Sequence, residues 1–157
     1  MEVGRAVQAF QDATDEVDEA VAAYLRLNRT DLRCLSVLSQ AGTMTASAIA
    51  EAAGLTRGAM TTALDRIERA GYARRVRDQK DRRSVRVEIT DTAQKDIDVL
   101  YGPLAREGGK LLGKYTAAEL AAALRYLEDG RQLQRSHAKR IRALNPPDHR
   151  GRAGPHA

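Results

Sequence analysis

Residues whose types are suited to contacts with a nucleic acid follow Thr56, where a short helix is predicted to begin. Arginine can pair with both acceptors of a guanine, threonine can meet a phosphate or a base edge, and glycine lets the backbone come close. The unpaired N–H groups that follow Thr56 can also receive a phosphate. The outward residues of this helix are Arg57, Gly58, Thr61, Thr62, Asp65, Arg66 and Arg69, of which Arg57, Gly58, Thr61, Thr62 and Arg66 are assigned to DNA contact. Together with Thr56 they predict a helix that docks in the major groove of double-stranded DNA.

A second basic group lies a few residues further along the chain. The segments 73–77 and 84–89 are predicted to form a β-hairpin, because Val85, Val87 and Ile89 alternate with polar residues. The tip between the strands carries the cations Lys80, Arg82 and Arg83. Cations on a projecting turn suit the narrow, negative minor groove.

The net charge of the chain is concentrated in the segment that holds both groups. Residues 56–90 contain ten Lys/Arg against five Asp/Glu, which equals the +5 of the whole sequence of 157 residues. Charge alone fits an ordinary solvated surface equally well. The placement of the cations on two consecutive elements is what favours DNA.

The elements that would position these groups begin and end at recognisable residues. Thr45 is predicted to cap a short helix, Ala46–Ala53, which Gly54 ends. Thr56 caps the next helix, which stops near Gly71. Two short helices joined by a tight turn are typical of a helix-turn-helix, although any three-helix domain could use the same turn. Thr30 is predicted to cap the preceding helix.

An amphipathic helix is predicted over residues 1–27. Its seam repeats every three or four residues and consists of Val3, Val7, Phe10, Thr14, Val17, Val21 and Tyr24. Such a stripe must pack either on the core of its own chain or on a second copy.

The C-terminal part is predicted to be helical with interruptions. Thr90 caps a helix in which Gly102-Pro103 and Gly108-Gly109 should produce a bend or a break. Thr116 and Glu119 form a capping box that opens a last helix. The inner face of that helix is predicted to carry Leu120, Leu124 and Leu127. Residues 145–157 are predicted to be a disordered basic tail that is either simply solvated or bound to flanking DNA.

Composition and residue types argue against several functional classes. Hydrophobic residues make up 43% and charged residues 30%, which is typical of a globular domain. No secretory signal or membrane span is evident, so we expect a cytoplasmic protein without a membrane partner. The three histidines have no metal-binding spacing, and no phosphate loop or nucleophile triad is present. We therefore expect neither catalysis nor a metal or cofactor, and we assign the lone Cys34 to the core.

Residues 32–93 resemble the winged helix-turn-helix domain of the multiple antibiotic resistance regulator (MarR) family. Residues 55–72 are similar to that family's recognition helix and the turn that follows it. The run Asp81-Arg82-Arg83, followed by Val85, Val87 and Ile89-Thr90, matches the family's wing, whose acidic-x-Arg element is its most specific mark. The flanking helices match in layout only.

This resemblance implies an obligate homodimer with two recognition helices in successive major grooves and both wings in the minor groove. It also implies that Asp81 supports the wing by pairing with an arginine, while Arg83 enters the groove. The family often has a pocket for a small aromatic or lipophilic effector between its dimerisation and DNA-binding parts.

The sequence as a whole predicts a mainly helical fold with a small β-hairpin wing. Residues 1–27 and 91–144 are expected to dimerise, and residues 28–90 to bind a pseudo-palindromic operator as a repressor. The predicted interface residues are Val3, Val7, Phe10, Val17, Val21, Leu120, Leu124 and Leu127. Two alternatives remain open at this point: an architectural DNA-binding protein without an effector, and a module whose basic patch meets an acidic protein.

Overall fold

Helices dominate the computed structural model, which describes residues 2–77 and 85–144. The helices are α1 (Glu2–Leu25), α2 (Arg29–Ala41), α3 (Ala46–Ala53), α4 (Arg57–Arg69), α5 (Asp91–Leu112) and α6 (Ala117–Arg142). The strands are β1 (Thr43–Thr45), β2 (Ala73–Arg77) and β3 (Val85–Ile89). The predicted fold class, mainly helical with a small hairpin, is confirmed.

The core lies where α2, α3 and α4 pack together with β3. Leu35, Ala63 and Val87 are fully buried, and Ile49 and Ile67 are nearly so. Burial of each large aliphatic side chain contributes about 1.5–3 kcal/mol. Cys34 is 1% exposed, with its Sγ 4.0 Å from the Sδ of Met60, so its assignment to the core is confirmed.

A three-stranded antiparallel sheet in the order β1-β3-β2 adjoins these helices. The hairpin register pairs Ala73 with Ile89 and Arg77 with Val85, in agreement with the predicted strands. Strand β1, in which Thr43 pairs with Glu88, was not predicted. Three residues are too few to show an alternating pattern, so only their contact with β3 reveals the strand.

The predicted cap of α2 is wrong. Asn28, rather than Thr30, precedes the helix with extended backbone angles, and its side-chain oxygen accepts a hydrogen bond from Asp31 N–H at 2.9 Å. Both residue types are good caps, but Asn28 places its acceptor three residues before a free N–H. The caps predicted at Thr45, Thr56 and Thr116 are confirmed.

Of the bend or break predicted after Thr90, the break is wrong. Helix α5 runs without interruption from Asp91 to Leu112 and contains Pro103. A proline removes a single N–H donor, and the remaining i→i−4 hydrogen bonds on either side can sustain the helix. By its internal contacts, the described chain divides into two units, one that ends at Ala105 and one that begins at Arg106.

The apolar stripe of α1 has two different environments along its length. Val21 is buried in the core of its own chain and Val17 packs against that core, whereas Val3 and Phe10 are 61% and 71% exposed. Helix α6 contains no buried residue, and Leu124 and Leu127 are more than half exposed. The prediction that these leucines form an inner face is therefore wrong within one chain.

Candidate nucleic-acid interface

Helix α4 is anchored by its apolar face and capped at its start. Met60, Ala63, Leu64 and Ile67 are buried against the core. The Thr56 hydroxyl accepts a hydrogen bond from Ala59 N–H at 3.2 Å. The opposite face of α4 is thereby turned to solvent.

The residues predicted to contact DNA at the start of α4 are exposed. The Arg57 side chain is exposed and makes no hydrogen bond or ion pair within the described part of the chain, so its guanidinium can engage another molecule. Thr61 and Thr62 donate their hydroxyl protons to the carbonyls of Arg57 and Gly58, at 3.1 and 3.2 Å. Their oxygens keep lone pairs for an outside donor. A Cβ on Gly58 would meet no atom within 4 Å, so this glycine is not required by packing within the chain.

Arg66 differs from these outward groups in that it is paired within the chain. Its Nε and Nη2 donate to the two carboxylate oxygens of Asp31 at 2.7 and 2.6 Å. These hydrogen bonds raise the pKa of the Arg66 guanidinium above its usual value. Arg66 is thus paired with a carboxylate that is 1% exposed while 38% of its own side chain stays exposed, and its contact with DNA stays a prediction. Sequence reasoning missed Asp31, which by pattern is an ordinary acidic residue in a first turn.

The hairpin of β2 and β3, here called the wing, is joined to α4 by ion pairs. Arg75 on β2 contacts Glu68 with its guanidinium, donates its backbone N–H to the same carboxylate at 2.8 Å, and reaches Asp65 at 2.8 Å. Within the sheet, Arg74 pairs with Glu88 at 2.5 Å. These contacts set the base of the wing relative to α4. The predicted tip residues Lys80, Asp81, Arg82 and Arg83 lie outside the described residues.

A threonine connects the end of α4 to the start of α5. The Thr90 hydroxyl donates to the carbonyl oxygen of Gly71 at 2.8 Å and accepts from Ala93 N–H at 3.2 Å. The predicted cap at Thr90 is thus present, and it also holds the turn in which Gly71 has a φ of +80°. That angle favours glycine.

A cleft of about 290 Å³ lies among α1, α2 and α5 and is here called the α2 cleft. Its lining residues are Asp15, Asp18, Arg29, Thr30, Leu32, Arg33, Ser36, Val37 and Tyr101. Arg29 pairs with Asp15 at 2.5 Å and with Glu19 at 3.2 Å. Most of the lining is polar or charged, and Leu32 and Val37 are its aliphatic members.

The half-buried Tyr101 of this cleft and the buried Cys34 of the core have shifted pKa values. Burial, reinforced by the hydrogen bond that Tyr101 donates to Asp18 at 2.9 Å, raises the pKa of Tyr101 to about 12. Burial, followed by the nearby charge of Asp31, raises the pKa of the Cys34 thiol. Cys34 therefore lacks the lowered pKa that makes a cysteine reactive.

The described residues form neither a metal-binding cluster nor a membrane-spanning helix. In residues 2–77 and 85–144, no three His, Cys, Asp or Glu side chains are grouped so as to hold a metal ion. Over the same residues, no helix has the length and apolarity needed to cross a bilayer.

Helices α3 and α4, their tight turn and the adjoining hairpin together define a winged helix-turn-helix, a class of DNA-binding fold. Residues 27–85 match the model of the MarR family. A relative from Bacillus subtilis (strain 168), the uncharacterized HTH-type transcriptional regulator YcgE, is 32% identical over 124 residues, or 79% of this chain and 80% of the relative. The chain belongs to the MarR family, whose members are transcriptional regulators and not enzymes.

Solved structures share the fold at lower identity. A mutant MarR from E. coli complexed with operator DNA has a TM-score of 0.58 and 20% identity, covering 82% of this chain and 93% of that one. NadR in complex with 4-hydroxyphenylacetate has a TM-score of 0.62 and 16% identity, covering 81% of this chain and 90% of that one. The MarR-family fold can thus be seen both with DNA and with a small aromatic acid.

Proposed function

We propose that this regulator is a homodimeric repressor that binds a pseudo-palindromic operator and releases it when a small effector binds. The observation that carries the proposal is the exposed start of α4. There Arg57, Gly58, Thr61 and Thr62 face solvent on a helix whose other side is fixed in the core. Residues 28–90 are the proposed DNA-binding region.

Each part of this region has a proposed role on DNA. The start of α4 reads base edges in the major groove, and the capped N-terminus at Thr56 meets a phosphate. Arg83 enters the minor groove, supported by Asp81, with Lys80 and Arg82 at the adjacent backbone. The ion pairs of Arg75 support this arrangement because they fasten the base of the wing to α4.

The distribution of exposed apolar residues supports dimerisation through residues 1–27 and 91–144. Among the described residues, the exposed large apolar side chains include several on α1, α5 and α6 and none on α2, α3 or α4. Apolar surface that one chain leaves open is typical of a contact with a second copy. The proposed interface uses Val3, Val7 and Phe10 of α1 and Leu120, Leu124 and Leu127 of α6. Val17 and Val21 support that part of α1 from within the chain.

The α2 cleft is the proposed effector site. A carboxylate on the effector would compete with Asp15 and Glu19 for the Arg29 guanidinium, while Leu32 and Val37 would contact an apolar ring. A volume of about 290 Å³ suits a molecule with one ring. The bound 4-hydroxyphenylacetate of NadR makes this acid a reasonable first probe.

Selection from a random DNA pool tests the proposal. The recovered site and a scrambled version are then compared by fluorescence anisotropy at several salt concentrations. We expect an inverted repeat, bound at least a thousandfold more tightly than the scrambled duplex. Equal, salt-sensitive binding to both duplexes would contradict the proposal and indicate an architectural DNA-binding protein. Addition of 4-hydroxyphenylacetate then asks whether the operator is released.

A further inference from the structure

Asp31 is unlike the other charged residues because it is buried. It is 1% exposed, and it is the one charged or polar residue in the described buried core. A carboxylate removed from water is costly unless hydrogen bonds compensate it. Both Asp31 oxygens receive such bonds, and both come from Arg66, 35 residues further along the chain.

The geometry of this contact fixes direction as well as distance. Nε and Nη2 of Arg66 each donate a hydrogen bond to a different oxygen of Asp31, at 2.7 and 2.6 Å. A planar guanidinium bound in this way resists rotation about the contact, which the point charge of a lysine does not. The pair joins the first turn of α2 to the last turn of α4.

The other contacts of α4 with the core are less directional. Met60, Ala63 and Ile67 are apolar, and apolar burial depends on area and hardly on orientation. A helix has a radius of about 5–6 Å, so a rotation of about 20° moves its outer side chains by about 2 Å. Hydrogen bonds to base edges do not tolerate such a displacement. Close packing of the core and the ion pairs of Arg75 limit this rotation, and the Asp31–Arg66 pair adds a directional contact with the core itself.

We propose that Asp31 and Arg66 are positioning residues, which orient α4 so that its outer side chains distinguish the operator from other DNA without touching DNA themselves. This inference rests on the proposed function, since it concerns how α4 reads a specific site. It assigns to Arg66 a role different from a phosphate contact. The two roles predict opposite results for Asp31.

The test uses the full-length protein with four changes: Asp31→Asn, Arg66→Gln, the double variant Asp31→Asn/Arg66→Gln, and Arg66→Lys. Arg66→Gln alone leaves the buried Asp31 carboxylate without its partner and can unfold the protein. The double variant has no charge at this pair, so it provides a folded species in that case. Arg69→Gln is the matched control, because Arg69 is an exposed arginine of the same helix with no partner in the described chain. Anisotropy is measured with the selected operator and with scrambled DNA, below the melting temperature of each variant.

We expect Asp31→Asn to lower operator affinity tenfold or more and to change scrambled-DNA affinity less than threefold. The double variant should be no weaker than the weaker single variant, because both changes remove one contact. Arg66→Lys should keep binding to scrambled DNA and still lose operator discrimination. The dependence of log K on log salt should keep its slope, since no phosphate contact is lost.

Two results would overturn this inference. The first is Asp31→Asn binding the operator as tightly as the wild type or more tightly, with Arg66→Gln losing about 0.9 of salt slope per protomer, as a phosphate contact would. The second is unchanged discrimination in every folded variant. Wild-type protein that cannot distinguish operator from scrambled DNA would instead contradict the proposed function itself.

Discussion

The side-chain oxygen of Asn28 accepts a hydrogen bond from the backbone N–H of Asp31 at 2.9 Å. This bond closes the first turn of α2 and satisfies one of the N–H groups that the helix leaves without a partner. The same turn presents the Asp31 carboxylate to α4 and lines the α2 cleft with Arg29 and Thr30. The cap formed by Asn28 thus lies beside both the proposed effector site and the contact that holds α4.

Replacement of Asn28 by alanine should lower the free energy of unfolding by about 1 kcal/mol, because the cap is lost. Thr30→Ala is the matched control and should change stability by less than about 0.5 kcal/mol, since Thr30 is not the cap. Urea unfolding followed by circular dichroism measures both. Equal losses for the two variants would contradict the assignment of the cap.

Gly58→Ala should separate stability from DNA binding. The added methyl meets no atom of the chain, so helix propensity should stabilise the protein by about 0.5–1 kcal/mol. The same methyl should weaken operator binding, because it holds the backbone away from DNA. Gly130→Ala in α6, which is equally unobstructed, should stabilise without changing affinity. A Gly58→Ala variant with wild-type affinity would show that the backbone does not approach DNA there.

Arg57→Ala should relax specificity at one symmetric pair of operator positions. A lost bidentate base contact costs about 1–3 kcal/mol per half-site. Arg69→Ala serves as the control at the far end of α4 and should leave sequence preference unchanged. Anisotropy against operators with single base substitutions measures the effect. Uniform weakening across all sequences would assign Arg57 to a phosphate.

Leu124→Glu combined with Leu127→Glu should produce a monomer. Charged side chains in a buried apolar interface are left without compensation. Multi-angle light scattering should then give the 17.2 kDa of a single chain, and the wild type twice that mass. Ala122→Glu lies on a different side of α6 and should leave the mass unchanged. A wild-type monomer would contradict the dimer.

Tyr101 should ionise late, near pH 12. Its pKa is raised on folding, so its contribution to stability is complete below pH 10 and is lost as the pH rises toward 12. Absorbance at about 295 nm should show a late step that Tyr101→Phe removes. Circular dichroism at each pH confirms that the chain is still folded. A folded Tyr101→Phe variant that keeps the late step would contradict the prediction.

The local features of this fold could be read from the sequence because their causes are local. Thr45, Thr56 and Thr116 each accept a hydrogen bond from the residue three positions later. A pattern of this length is complete within one turn of helix. The same holds for the alternation of the wing strands and for the exposed start of α4, whose apolar residues recur at helical spacing.

Only the tertiary structure decided which polar residues are paired within the chain. Asp31 and Arg66 are separated by 35 residues, and Tyr101 and Asp18 by 83. In the sequence, Arg57 and Arg66 are both cations on one amphipathic helix, on opposite flanks of its apolar face, and nothing in the pattern shows that the Arg66 flank meets a buried carboxylate. The physical reason is that helical periodicity specifies which side of a helix faces the core, whereas partners across the core depend on how the elements pack. The sequence therefore determined the class of fold and the outward start of α4, and packing determined that Arg57 is open to solvent while Arg66 is held by Asp31.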